Sequence, residues 1–149
     1  MLIGIPALLH ADLLHVLASM GHGDELVLAD ANFPAARLAR RLVHIPGIDT
    51  GRAAEAVLKL LPLDDFVAAP LALMQPARPQ DKDAPALKDL TGLLARIAPG
   101  RTVEQVEREA FYARAANAFA IVATGDTRPY ANLILKKGVI ARGMPGHVD

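Results

Sequence analysis

Phe119-Ala120-Ile121-Val122-Ala123-Thr124 is an apolar run closed by Thr and followed at once by Gly125-Asp126. A short continuous apolar run with β-branched residues at its centre, stopped by a turn pair, reads as a strand buried on both faces. Outward from it, Leu133-Ile134-Leu135 reads as a last strand before Lys136, Lys137 and Gly138. Upstream, Glu25–Ala29, Leu42–Ile45 and Leu71–Met74 repeat the pattern, each ended by a turn or charge signal. Arg101–Val106 alternates less well, with Val103 and Val106 among polar residues. Helical spacing fills the gaps. Leu9, Leu13, Val16, Leu17 and Met20 share one stripe, with Asp12 in the first turn and Gly21 as the expected stop. Ala53, Ala54, Val57, Leu58 and Leu61 form a second stripe over 50–61, ended by Pro62. Leu87, Leu90, Leu94 and Ile97 form a third, and 108–117 is a fourth helix. Phe33-Pro34 opens a loop or short helix, and Pro76–Pro85 is a loop. Helices alternating with buried strands predict an α/β fold in one domain, residues 1–140, with a loose tail over 141–149.

Composition narrows the function. The chain has 149 residues, 16 basic against 16 acidic side chains and no Cys. Neutral charge gives no footprint for nucleic acid or an anionic membrane surface. Without Cys there are no disulfides, thiolate metal sites or cysteine nucleophile. No segment approaches the ~18 apolar residues of a membrane span. The first 25 residues are too poor in basic residues and too helically patterned for a signal peptide, so a cytoplasmic protein is expected. Hydrophobic residues reach 52%, and 11 glycines raise the apolar share above the ~45–50% of ordinary domains. Either some surface is buried against another subunit, or exposed Ala inflates the count. No glycine-rich phosphate motif follows a strand, which excludes the usual nucleotide readings of such a sheet.

Two groups of residues could carry chemistry. Gly21-His22-Gly23-Asp24-Glu25 frames an imidazole between glycines, with Asp30 at the other end of the next strand. His22 can exchange a proton near neutral pH. The plain alternative is a solvated turn with Asp24 as its cap. A metal site is disfavoured, because Asp24 and Glu25 face opposite ways on a strand and no second His is suitably spaced. His10, His15, His44 and His147 have no partner pattern and default to surface or packing roles. In the last third, Arg108 and Tyr112 lie four residues apart on one helical face, and Tyr130 and Asn132 alternate before the last strand. Carboxylate, Arg, amide and aromatic ring together suit a sugar, and equally an ordinary surface.

Five blocks in order resemble the RbsD/FucU family of sugar mutarotases, and specifically its fucose branch. They are Met20–Glu25, Asp30-Ala31-Asn32-Phe33-Pro34, Ala110–Tyr112 with Arg114-Ala115, Ala118–Gly125, and Tyr130-Ala131-Asn132 leading to Leu135–Val139. Gly23, Asp24, Glu25, Phe33-Pro34 and Arg108 follow the fucose pattern, while Ala131 is seen more in the ribose branch. Glu109 stands where the family has an aromatic residue after Arg108. The resemblance implies a three-layer α/β/α fold with a mixed sheet, assembled as a homo-oligomeric ring, a decamer. It implies interconversion of the α and β anomers of L-fucose or a related pyranose, with no metal or organic cofactor. By resemblance His22 is the proton donor. Asp30, Arg108, Tyr130, Ala131 and Asn132 are sugar-binding positions, with Tyr112 in possible support. A ribose pyranase and a non-catalytic sugar-binding accessory of a transport operon are the alternatives.

Overall fold

A computed structural model describes residues 2–144. Six strands form one sheet: β1 (Glu25–Ala29), β2 (Leu42–Ile45), β3 (Leu71–Met74), β4 (Val103–Val106), β5 (Ala120–Thr124) and β6 (Leu133–Lys136). Their order is β2-β5-β1-β6-β3-β4. β6 is antiparallel to β1 and β3, and every other pairing is parallel. The sheet is therefore mixed, with one reversed strand at its centre. All four residues of β3 are buried, and β1, β5 and β6 are buried along most of their length. Edge strands differ: His44 of β2 and Gln105 of β4 face solvent.

Five helices cover the sheet: α1 (Ala11–Ser19), α2 (Ala35–Leu38), α3 (Thr50–Val57), α4 (Pro85–Ile97) and α5 (Arg108–Asn117). Alternation along β1 assigns the layers. Leu26 and Leu28 pack with Leu13 and Val16 of α1, Val57 of α3 and Leu90 of α4. Val27 and Ala29 pack on the opposite face with Ala35 of α2 and Phe111 of α5. This gives three layers, α1/α3/α4, sheet and α2/α5, each helix burying one apolar stripe. Asp49 caps α3 by accepting from the Arg52 N–H at 2.8 Å, and Glu107 accepts from the Glu109 and Ala110 N–H groups at the start of α5.

Several boundaries differ from expectation. α1 ends at Ser19 with Met20 extended, and Gly21 is not its left-handed stop. The left-handed glycine is Gly23, φ 82°, which turns the chain from α1 into β1. α3 ends at Val57, four residues before the expected end, and Leu61 is buried from the turn that follows. A single 3₁₀ turn, Pro79–Asp81, interrupts the Pro76–Pro85 loop. Ala141–Met144 is exposed, while residues 145–149, with His147 and the rest of the expected tail, lie outside the described residues.

Five strands run one way and β6 the other, so the sheet has two chemically distinct ends. Asp30 follows β1 and Asn132 precedes β6, at one end. His22 precedes β1 and Lys137 follows β6, at the opposite end.

Candidate functional site

At the first end, Asp30 and Asn132 form a buried pair, each at most 4% exposed. The Asn132 amide donates to Asp30 Oδ2 at 2.8 Å, and its oxygen accepts the Asp30 N–H at 2.9 Å. Asp30 Oδ1 accepts the Asn32 N–H at 2.9 Å. Burial pushes the Asp30 carboxyl above the usual carboxylate range, against the pull of the Asn32, Asn132 and Phe33 groups that bond it. A carboxyl poised in this way can hold or accept a proton nearer neutrality.

The floor beneath this pair is a polar network. Thr124 Oγ1 donates to the Ala29 carbonyl at 2.9 Å, and Thr50 Oγ1 donates to the Ala131 carbonyl at 2.8 Å. Asp126 accepts the Thr50 N–H and a two-pronged bond from Arg128 at 2.9 and 2.8 Å. Its carbonyl accepts the Ala31 N–H. Ala131 itself is fully buried with its carbonyl already bonded, so its place is in the floor.

Aromatic residues line the same end. Phe33, which follows Asp30, meets Tyr112 edge-on at 5.3 Å between centroids. Tyr130 has φ 66°, a left-handed conformation that costs a bulky residue about 1–2 kcal/mol. Its hydroxyl donates to Asp81 at 2.8 Å and accepts the Ala77 N–H at 3.3 Å, which fixes the ring over the Pro76–Asp81 loop. The strained residue sits two positions before Asn132, and strain of this kind clusters at active sites and ligand clamps.

This corrects the expectation that Tyr130 and Asn132 face one side by strand alternation. Tyr130 precedes β6 and is not extended, so its side chain turns to the 76–81 loop while Asn132 turns to Asp30 and Met74. Arg108 and Tyr112 both lie in α5, four residues apart as expected; Arg108 opens the helix, exposed, with its guanidinium on Glu109 at 3.2 Å. Glu109 is the residue that departs from the family pattern.

At the other end stands His22, with a side chain 44% exposed. Asp24 accepts the Gly21 N–H at 2.7 Å and closes its turn. His22 Nε2 lies 3.1 Å from Oδ1 of Asp64, and its ring tilts against Phe66 at 5.2 Å. Asp64 is buried, and the Phe66 N–H and the His22 contact hold its carboxyl below the usual range. Sequence reading missed Asp64. Its signal is weak: one Asp in Leu63-Asp64-Asp65-Phe66, 42 residues from His22.

One chain does not bring the two groups together. β1 separates them, and from Glu25 to Asp30 the strand rise alone amounts to roughly 16 Å. Among the described residues, no three His, Asp or Glu side chains converge as metal ligands do. No helix of the described residues is long and apolar enough to cross a membrane. A cavity of about 520 Å³ between α3 and α4, lined by Arg52, Glu55, Lys88 and Arg96 among others, shares Arg128 with the network beneath Asp30 but contains none of His22, Asp30, Arg108, Tyr130 and Asn132.

Human fucose mutarotase is 47% identical over 145 residues, covering 93% of this chain and 94% of that protein. The L-fucose mutarotase of Glaesserella parasuis is 44% identical, covering 93% and 96%. The crystal structure of the fucose mutarotase of Streptococcus pneumoniae in complex with L-fucose superposes with a TM-score of 0.85. It is 39% identical, covering 94% of this chain and all of that one. Bacillus subtilis RbsD complexed with D-ribose shares the fold, with a TM-score of 0.75 at 22% identity. The model of the RbsD / FucU transport protein family matches residues 3–140, and the chain belongs to that family.

Proposed function

We propose that this protein is an L-fucose mutarotase, exchanging the α and β anomers of L-fucose through the open-chain aldehyde. The observation that carries the proposal is 39–47% identity, over more than nine-tenths of the chain, to proteins named as fucose mutarotases, one solved with L-fucose. The ribose alternative rests on a fold match alone.

Mutarotation needs a proton delivered to the ring oxygen and a proton taken from the anomeric hydroxyl, with the roles reversed on closure. Asp64 occupies Nε2 of His22, so Nδ1 is the nitrogen free to serve the sugar. Asp30, lifted toward neutrality by burial and held by Asn132, is the complementary group, with Asn132 as a hydrogen-bonding neighbour. Tyr130 and Tyr112 stand at the same end of the sheet, and Arg108 supplies a cation there. A positioned acid or base contributes typically 10²–10⁴-fold, enough for a reaction that already proceeds unaided.

Because β1 holds His22 and Asp30 apart, a sugar in contact with Asp30 of one copy meets His22 of a neighbouring copy. The active species is then a homo-oligomer, with the decameric ring implied by the family resemblance as its form and the cytoplasm as its location. Exposed Leu2, Ile3, Phe66, Val139 and Ile140 support burial against a neighbour, and Phe66 stands beside His22.

Saturation-transfer NMR between the α and β C1 protons tests the function on L-fucose and D-ribose. Faster exchange on L-fucose, abolished in His22→Ala, is expected. Acceleration on D-ribose alone would move the protein to the other branch. Binding of L-fucose without acceleration would identify a sugar-binding accessory.

A further inference from the structure

The loop that follows β3 is fastened to the approach to β6 at two points. At its root, the Met74 N–H donates to the Asn132 carbonyl at 3.3 Å. Farther out, the Tyr130 hydroxyl donates to Asp81 Oδ2 at 2.8 Å and accepts the Ala77 N–H at 3.3 Å. Tyr130 stands two residues before Asn132, so these contacts fix the chain that carries the buried Asp30–Asn132 pair.

Asp81 is itself anchored. The Arg78 guanidinium donates to both of its carboxylate oxygens, at 2.7 and 3.2 Å. Its N–H donates to the Arg78 carbonyl at 3.0 Å, and its carbonyl accepts the Ala84 N–H at 2.9 Å, at the threshold of α4. The Asp81 side chain is 18% exposed, against 67% for Arg78. The bonds from Arg78 and from Tyr130 hold the Asp81 carboxyl below the usual range, so near neutral pH it is ionised and can only accept.

We propose that Asp81 is the positioning residue of Tyr130, fixing its phenol and its left-handed backbone so that Tyr130 meets the sugar as an acceptor or a ring and never as a donor. A phenol has one proton to give and two lone pairs. The proton of Tyr130 points at Asp81, and one lone pair takes the Ala77 N–H, which leaves one lone pair for a sugar hydroxyl. The backbone at φ 66° is disfavoured by the Cβ of a tyrosine, and the two bonds to the phenol offset that cost. Tyr130 therefore has no proton for the ring oxygen, and its contact with the sugar is the same before and during ring opening. Uniform contact of this kind sets KM and leaves kcat alone.

The contribution to sugar binding rests on the mutarotase reading; the phenol bond does not. The test therefore pairs two readouts on the intact protein. The chain has two tyrosines, so ¹³Cζ-labelled tyrosine gives two NMR signals, with Tyr130 identified by difference against Tyr112→Phe. The ¹³Cζ shift reports whether the phenol donates to a carboxylate. Saturation transfer at varied L-fucose concentration separates kcat from KM. Asp81→Ala is expected to move the Tyr130 signal and to raise KM about fivefold, the worth of one ordinary hydrogen bond, with kcat unchanged. Asp81→Asn, which keeps an acceptor oxygen, should restore most of the KM. Should Asp81→Ala fail to fold, Asp81→Ser, too short to reach the phenol, carries the same test. In a Tyr130→Phe background, Asp81→Ala should add nothing, because no phenol is left to position. A role confined to the Arg78 turn would raise KM equally in both backgrounds. An unmoved Tyr130 signal, an equal loss in both backgrounds, or a loss in kcat at unchanged KM would overturn the proposal. Absence of wild-type exchange on L-fucose would instead remove the mutarotase reading and leave the phenol signal to decide whether Asp81 holds Tyr130.

Discussion

A mixed-oligomer experiment tests the separation of His22 from Asp30. One pool carries His22→Ala and keeps Asp30; the other carries Asp30→Asn and keeps His22. Within either pure pool every site lacks one member, whether sites are shared or not, so neither should accelerate anomer exchange. Their 1:1 co-assembly separates the cases. If a site takes His22 from one copy and Asp30 from its neighbour, it is complete when the first copy is Asp30→Asn and the second His22→Ala. Each condition holds half the time in random closed assemblies, so about one quarter of the sites, and of the wild-type rate, should return. The structural basis is the five-residue strand β1, buried from Leu26 to Ala29 and hydrogen-bonded to β5 and β6 on both sides. It cannot shorten to bring its ends to one pyranose. Exchange is read by saturation transfer, and native mass spectrometry verifies that hybrids have formed. Hybrids with no more activity than their parents would refute the shared site, since a site within one chain is never completed by mixing.

Two further outcomes follow from the buried polar groups at the Asp30 end. Asn132→Leu keeps the volume but orphans the Asp30 N–H and one carboxylate oxygen, which should cost about 2–5 kcal/mol for the two groups together; a lower urea midpoint at unchanged slope checks it. Asp126→Asn tests pH linkage. Burial raises the Asp126 carboxyl, but the Arg128 guanidinium and the Arg128 and Thr50 N–H groups lower it further, so the folded value lies below the ordinary 3.8. Its contribution is therefore present above 3.8 and lost as pH falls through the folded value. Asp126→Asn should be less stable than wild type at pH 7, with the gap closing in acid; a gap that persists or widens at low pH would contradict the assignment.

The sheet was largely legible because its strands are short apolar runs that no helical period explains. Glu25–Ala29, Leu42–Ile45 and Leu71–Met74 carry their own stops, so their ends coincide with those observed. What local pattern could not carry was conformation against the local rule. Tyr130 adopts a left-handed backbone because Asp81 and Ala77, some 50 residues away, hold its hydroxyl; alternation into β6 could not reveal that. Gly21 resembled a helix stop, but the chain needs its positive φ two residues later, at Gly23, where the turn meets the Lys137 carbonyl. The candidate sugar-site residues at the first end were marked by residue type and family resemblance. Asp64 was not, since nothing in its neighbours distinguishes it from Asp65. Asp64 is 2% exposed and bonded to His22, whereas Asp65 is exposed and paired with Arg101. The difference is made by Gly138, whose missing Cβ admits the Asp64 backbone to the end of β6. A glycine placed after two lysines thus decides which carboxylate stands behind the proposed catalytic imidazole, and that relation exists only once the sheet has formed.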